Sequence, residues 1–234
     1  MSRVAEYRRP APGTHPEYAH TAYESTRRRA PLCVPIRIAH TQSEITGPRI
    51  WGGPVNAAEA DLTHFDGGEA IGERIIVSGY VIDEDGRPIP DTLIEIWQAN
   101  AAGRYAHDAD QHDAPLDPHF SGVGRVTTDA AGAYRFMTVK PGAYPWRNHP
   151  NAWRPAHIHY SLFGPAFATR LITQMYFSGD PLLPLDPIYN SVADVEARAR
   201  LVAPFAQELT QPEYALGFRF DFVLRGRNGT PLEE

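Results

Sequence analysis

Beyond residue 70 the apolar residues come in short runs, each stopped by a turn signal, and this punctuation constrains the fold more than any other feature. IIVSGYVI (75–82) is followed by DEDGRPIP, whose Asp85-Gly86 pair is a hairpin-type turn, and then by TLIEIWQA (92–99). RVTTD (125–129) passes through Ala131-Gly132 into AYRFMTV (133–139), which Pro141-Gly142 halts. Each pair of runs predicts a strand, a turn and a strand. HIHYSLFG (157–164) and RLITQMYF (170–177) make two further strands joined by Gly164-Pro165. In GFRFDFVLRG the residues Phe218, Phe220, Phe222 and Leu224 fall on one face and Arg219, Asp221 and Arg225 on the other, the pattern of a half-buried strand. The 22 prolines and 19 glycines argue for many turns and short elements rather than a helical bundle. The fold class expected is all-β, a β-sandwich spanning residues 71–234. One short helix is predicted from about Val192 to Leu201, with Ser191 as N-cap and Asp194 three residues on.

Residues 1–70 mix Pro, Gly, Arg and His without periodicity, as in RRPAPGTHPEY and RRRAPLCVP, and read as an extended N-terminal arm. Tyr7, Tyr18, Tyr23 and Trp51 are aromatics that a segment remaining in solvent has no use for, so the arm is expected to dock, on its own chain or on a partner. The net charge of −6 provides no basic field for a phosphate backbone, which argues against nucleic acid. Cys33 is the only cysteine, so neither an intrachain disulfide nor a cysteine zinc site can be built. No stretch reaches membrane-spanning length and the first residues lack the apolar core of a signal peptide, so a cytoplasmic protein without membrane contact is expected.

Chemistry gathers at His157-Ile158-His159. Residues i and i+2 of a strand share a face, so two imidazoles project together while Ile158 turns to the core. The pair is half of a metal site, or a structural pair of histidines; spacing does not choose between them. No cysteine is at hand and no carboxylate occupies the adjacent strand positions, whereas two tyrosines stand in stiff contexts: Tyr144 between Pro141 and Pro145, and Tyr105 in the loop after a strand ending at Trp97. Each alone reads first as an ordinary sandwich aromatic with its hydroxyl hydrogen-bonded at the rim. A phenol ionises near pH 10, and a trivalent hard cation favours the phenolate strongly; two tyrosinates and a hydroxide balance the charge of Fe(III). His107 and His112, in the polar loop beside Tyr105, are read as supporting or solvent-facing residues rather than ligands.

Taken together, GERIIVSGYVIDEDGRPIPDTLIEIWQANAAGRY, PGAYPWRN, NAWRPAHIHYSLFGP and LITQMYFSGDPL closely resemble the intradiol ring-cleavage dioxygenases, from about His15 to the C-terminal VLRG. The resemblance implies a ferric ion held by Tyr105, Tyr144, His157 and His159, with Tyr144 the ligand that a catechol displaces. It also implies that Arg154 stabilises charge on the substrate ring, with Gln174 near it. Trp146 and Ile188 would line the pocket and Tyr23 would contact a substrate carboxylate. Ala143 stands where a proline is common in the family, which should loosen that loop slightly. The implied reaction inserts O2 between the two hydroxyl-bearing carbons. The implied substrate is protocatechuate (3,4-dihydroxybenzoate), opened to 3-carboxy-cis,cis-muconate, or another anionic catechol such as 4-sulfocatechol. Homodimeric members carry a helical N-terminal region that this proline-rich arm does not provide, so a hetero-oligomer with a homologous alpha chain lacking the iron ligands is expected. The competing reading is a transthyretin-like binding or structural sandwich, which would share the strand pattern but have no use for RPAHIH with two tyrosines.

Overall fold

The computed structural model describes residues 10–34, 36, 55–163, 170–224 and 226–232. Tyr7, Trp51, the Gly164-Pro165 turn and Arg225 lie outside the described residues. Thirteen strands occur among the described residues: β1 (His64–Phe65), β2 (Gly68–Glu69), β3 (Arg74–Ile82), β4 (Leu93–Trp97), β5 (Val123–Thr127), β6 (Ala133–Val139), β7 (Tyr144–Pro145), β8 (Trp153–Arg154), β9 (His157–Phe163), β10 (Arg170–Phe177), β11 (Val202–Ala203), β12 (Leu216–Arg219) and β13 (Phe222–Val223). One sheet has the order β11-β10-β9-β4-β5. The other is centred on β3, with β6 antiparallel to it and β12 and β13 parallel to it. Ile94, Ile96, Ile158, Tyr160, Leu162 and Met175 from the first sheet meet Ile75, Val77, Phe136, Phe218, Phe220 and Phe222 from the second in one buried core. This is the expected all-β sandwich, with the inner faces of the two sheets packed on each other.

Neither predicted strand pair joins through a simple hairpin. The backbone does turn back at Asp83–Arg87 and Asp129–Ala133, through Asp83 N–H to Arg87 C=O (2.9 Å) and Asp129 N–H to Ala133 C=O (3.0 Å). The chain then crosses between layers, so β3 and β4 lie in opposite sheets, as do β5 and β6. Turn chemistry sets local reversal, whereas sheet membership is decided by which long-range partner covers each edge.

The C-terminal alternating stretch forms two strand pieces rather than one. Phe218 pairs with Val77 and Phe222 with Val81, so the register is continuous, but between them the Asp221 carboxylate accepts the Tyr80 N–H (2.8 Å) in place of a backbone carbonyl. Gly79 permits this approach, since a Cβ there would fall 1.8 Å from the Phe220 carbonyl oxygen. Phe218, Phe220 and Phe222 are buried as expected.

Instead of one helix with Ser191 as N-cap, two five-residue helices occur, Pro187–Ser191 and Val195–Ala199, besides a four-residue helix, Thr26–Arg29, in the arm. Asp194 caps the later helix, accepting from Glu196 N–H and Ala197 N–H, and Ser191 closes the earlier one. A carboxylate caps as well as a hydroxyl and adds a favourable interaction with the positive helix end. These helices pack Val192, Ala197 and Leu201 against Tyr176 on the outer face of the first sheet.

Part of the described arm docks on its own chain, whereas Tyr18, Leu32, Val34 and Ile36 are exposed. Glu24 and Ser25 donate backbone N–H groups to Asn148, Gly13 C=O accepts from Asp194, and His15 Nδ1 accepts from Leu232. Residues 55–70, assigned to the arm from sequence, place Leu62 and Ala70 in the sandwich core.

Candidate metal centre

The outer face of the first sheet is where alternation and register assemble the site. Trp97 lies opposite His159 on β9, and His159 lies opposite Gln174 on β10, forming one row across three strands. His157 and Tyr176 form the next row. Ile158 lies buried on the opposite face, in the core. Trp97 stacks on the His159 ring at 4.9 Å and 6°, which holds that imidazole in one plane.

The tyrosines arrive on two loops pressed together. Asn100, just after β4, has its side-chain oxygen accepting from Ala102 N–H and Arg104 N–H, while its backbone carbonyl accepts from Gly142 N–H at 2.9 Å. Gly103 has φ +80°, and a Cβ there would stand 2.2 Å from the Ala143 carbonyl oxygen, so close contact between the loops requires glycine. Asp110 accepts from the Tyr105 N–H (2.8 Å) and pairs with His112 Nδ1 (2.8 Å), and this hydrogen bonding holds its carboxyl below the usual carboxylate range despite its partial burial. On the second loop, β7 pairs with β8 so that Tyr144 sits directly opposite Arg154, three residues before β9 begins.

Four rings close around one point. Tyr105 and Tyr144 meet edge-on at 5.4 Å, Tyr144 and His157 at 5.4 Å, His157 and His159 at 4.8 Å, and His159 and Tyr105 at 6.4 Å. His159 Nε2 is 3.2 Å from Tyr105 Oη, and Tyr144 Oη is 3.3 Å from His157 Nε2. His157 Nδ1 donates to the Pro155 carbonyl (2.7 Å), which leaves Nε2 as the lone-pair nitrogen facing the phenols. Burial, with Arg154 and His159 adding to it, pushes the His157 pKa well below the usual histidine range, so the ring is neutral. Burial also raises Tyr144, against the pull of Arg154.

This donor set fits a hard trivalent cation. Two imidazoles and two phenols converge, and a phenol that resists ionisation unaided, as Tyr144 does, yields its proton to such an ion. No group of three His, Cys, Asp or Glu side chains among the described residues could hold a metal, so any such site here depends on the tyrosines. Gln174 Nε2, buried beside the centre, has no hydrogen-bond partner among the described residues.

A cleft of about 740 Å³ opens onto the centre, lined by Trp97, Tyr105, Tyr144, Trp146, Arg147 and His159 among others. Arg154, Gln174, Tyr23 and Ile188 are not among the residues that line it. Arg154 lies in contact with both Tyr144 and His157. Tyr23 packs on the Trp146 ring at 5.0 Å, and Ile188 is buried in the helix Pro187–Ser191. Sequence reasoning missed Asn100, Asp110, Trp97 and Asp186. Asp186-Pro187 carried a helix-start signal, but nothing local marked its long-range partner.

Residues 45–226 match the Dioxygenase_C family, described as dioxygenase. The chain is 53% identical over 222 residues to the protocatechuate 3,4-dioxygenase beta chain of Burkholderia cepacia, covering 94% of each. The chain belongs to the intradiol dioxygenase family. This intradiol dioxygenase is also 31% identical over 164 residues to the protocatechuate 3,4-dioxygenase alpha chain of Burkholderia cepacia, covering 69% of this chain and 77% of that one. Among solved structures, 3-chlorocatechol 1,2-dioxygenase from Rhodococcus opacus 1CP superposes with a TM-score of 0.54 at 26% identity, covering 76% of this chain and 69% of that one. Membership of this family sets aside the transthyretin-like scaffold reading. No helix among the described residues is long and apolar enough to cross a membrane.

Proposed function

We propose that this chain binds Fe(III) through Tyr105, Tyr144, His157 and His159. We propose further that it cleaves protocatechuate between its hydroxyl-bearing carbons with O2, giving 3-carboxy-cis,cis-muconate, as the iron-bearing partner of a homologous alpha chain in the cytoplasm. The observation that carries the reading is the closed ring of two phenols and two imidazoles, on a chain 53% identical to a protocatechuate 3,4-dioxygenase beta chain. An iron ion at this point would ligate the two oxygens of a catechol and make its ring reactive toward dioxygen.

The residues supply the rest. His157 and His159 are fixed by the Pro155 carbonyl and the Trp97 ring respectively, so they serve as standing ligands. Tyr144 lies on a short two-stranded ribbon, and Arg154 Nη1 is 3.4 Å from its hydroxyl, so the guanidinium can receive the phenol when substrate displaces it. Arg154 then presents a fixed positive charge to the electron-rich ring. Trp146, whose ring lies 5.3 Å from Arg154 Cζ, walls the cleft, and Tyr23 behind it supports that wall. For subunit contacts we assign the arm ahead of residue 55, in which Leu32 and Ile36 are 100% and 88% exposed, a wasteful arrangement unless another chain covers them.

The test is co-expression with the homologous alpha chain, followed by metal analysis, a visible spectrum and oxygen uptake with protocatechuate, catechol and 4-sulfocatechol. A red iron-loaded complex that prefers protocatechuate supports the reading. Colourless iron-free protein, or preference for another of the three, overturns it. In the same complex, Tyr144→Phe should keep its iron but slow anaerobic substrate exchange by roughly tenfold or more, read by stopped-flow absorbance. Exchange at the parent rate would remove Tyr144 from its role as the leaving ligand.

A further inference from the structure

Beneath the metal centre lies a buried charge pair that the proposed chemistry does not by itself require. Arg154 is 2% exposed and Asp186 is fully buried. Asp186 Oδ2 accepts from Arg154 Nη2 at 2.8 Å and Oδ1 accepts from Nε at 3.3 Å, a two-point grip along one edge of the guanidinium. Nη2 donates further to Gln174 Oε1 (2.7 Å) and Tyr176 Oη (3.1 Å), and Tyr176 itself donates to Gln174 (3.0 Å). Only Nη1 points the other way, toward His157 Nε2 (3.0 Å) and Tyr144 Oη (3.4 Å). A planar group held on two sides has one orientation left, and that orientation aims its third side at the ligands.

Asp186 has a second attachment. Its Oδ1 accepts from Ile188 N–H at 3.2 Å and caps the helix Pro187–Ser191, with proline at the first helical position. The same carboxylate thus ties the arginine to the helix that carries Ile188.

We propose that Asp186 is a positioning residue, which acts through Arg154 by fixing the plane and direction of its guanidinium and so sets the rate of ring cleavage. This rests on the dioxygenase function proposed above. The carboxylate lies on the far edge of the guanidinium from the ligands, so it balances the buried charge without competing for the edge that faces the substrate. Without it, the guanidinium would keep its charge but lose its direction.

Capping and positioning can be separated, because Asn and Ser cap a helix about as well as Asp. In the iron-loaded complex with the alpha chain, we expect Asp186→Asn and Asp186→Ser to lower turnover per bound iron by roughly tenfold to a hundredfold. Iron content and anaerobic protocatechuate affinity, read from the visible spectrum, should stay within about twofold of the parent. Asp186→Ala should show the same loss per bound iron and a lower melting temperature. Arg154→Lys keeps the charge without the fork, and its penalty should not multiply with that of Asp186→Asn, since both remove the same oriented contact. Normal turnover per iron in Asp186→Asn and Asp186→Ser, with loss only in Asp186→Ala, would reduce Asp186 to a helix cap. Multiplicative penalties in the double variant would also overturn the proposal, as would variants whose activity falls only in step with lost iron. Failure of the parent complex to cleave protocatechuate would instead count against the proposed function.

Discussion

Arg154→Met should cost the protein both its turnover and much of its stability. Methionine fills a similar volume but leaves the Asp186 carboxylate fully buried with no cation, and breaking a buried pair by removing one partner destabilises by about 3–5 kcal/mol. Gln174 Oε1 and Tyr176 Oη lose a donor in the same change. Turnover should fall by about a hundredfold to a thousandfold, the typical effect of removing one preorganised donor from developing negative charge. Denaturant unfolding and steady-state oxygen uptake measure the two effects. Arg154→Met/Asp186→Leu should recover most of the stability, since an apolar pair tolerates burial, and none of the activity. Recovery of activity in the double variant would show that the guanidinium takes no part in the reaction.

The second large effect concerns the histidines. His157→Ala and His159→Ala should each lower iron content more than about tenfold and leave the protein colourless, because each removes a neutral nitrogen donor that cannot be replaced from nearby. The fold should survive both changes. Ile158, Tyr160 and Leu162 hold β9 in the core through the opposite face, so circular dichroism should match that of the parent. His157→Ala should be the more disruptive, since His157 is hydrogen-bonded to Pro155, Tyr144 and Arg154. Iron retained at the parent level in either variant would take that histidine out of the ligand set.

Much of this architecture is local in origin. The extents of β3, β4, β6, β9 and β10 follow from runs of alternating or continuous apolar residues and from the Gly and Pro residues that bound them. The facing imidazoles of His157 and His159 follow from the two-residue period of a strand. Where the sequence reading departed from the structure, a longer-range choice had intervened. Asp85-Gly86 and Gly132 turn the chain as expected, yet the strands they connect separate into different sheets, since each sheet edge is claimed by a segment far along the chain. The C-terminal strand is divided by a carboxylate that reaches across to Tyr80, 141 residues away.

By itself, the sequence determined which face of β9 carries the imidazoles, that the layers are sheets, and which family the motifs belong to, because backbone geometry and turn chemistry act over a few residues. Only the tertiary structure decided what surrounds those imidazoles: Trp97 and Gln174 through strand register, Tyr105 and Tyr144 through two loops that meet at Gly103, and Asp186 under an arginine 32 residues away. Such contacts depend on how distant segments close against each other, and a buried carboxylate that answers a buried guanidinium leaves no period or spacing in the chain to announce it.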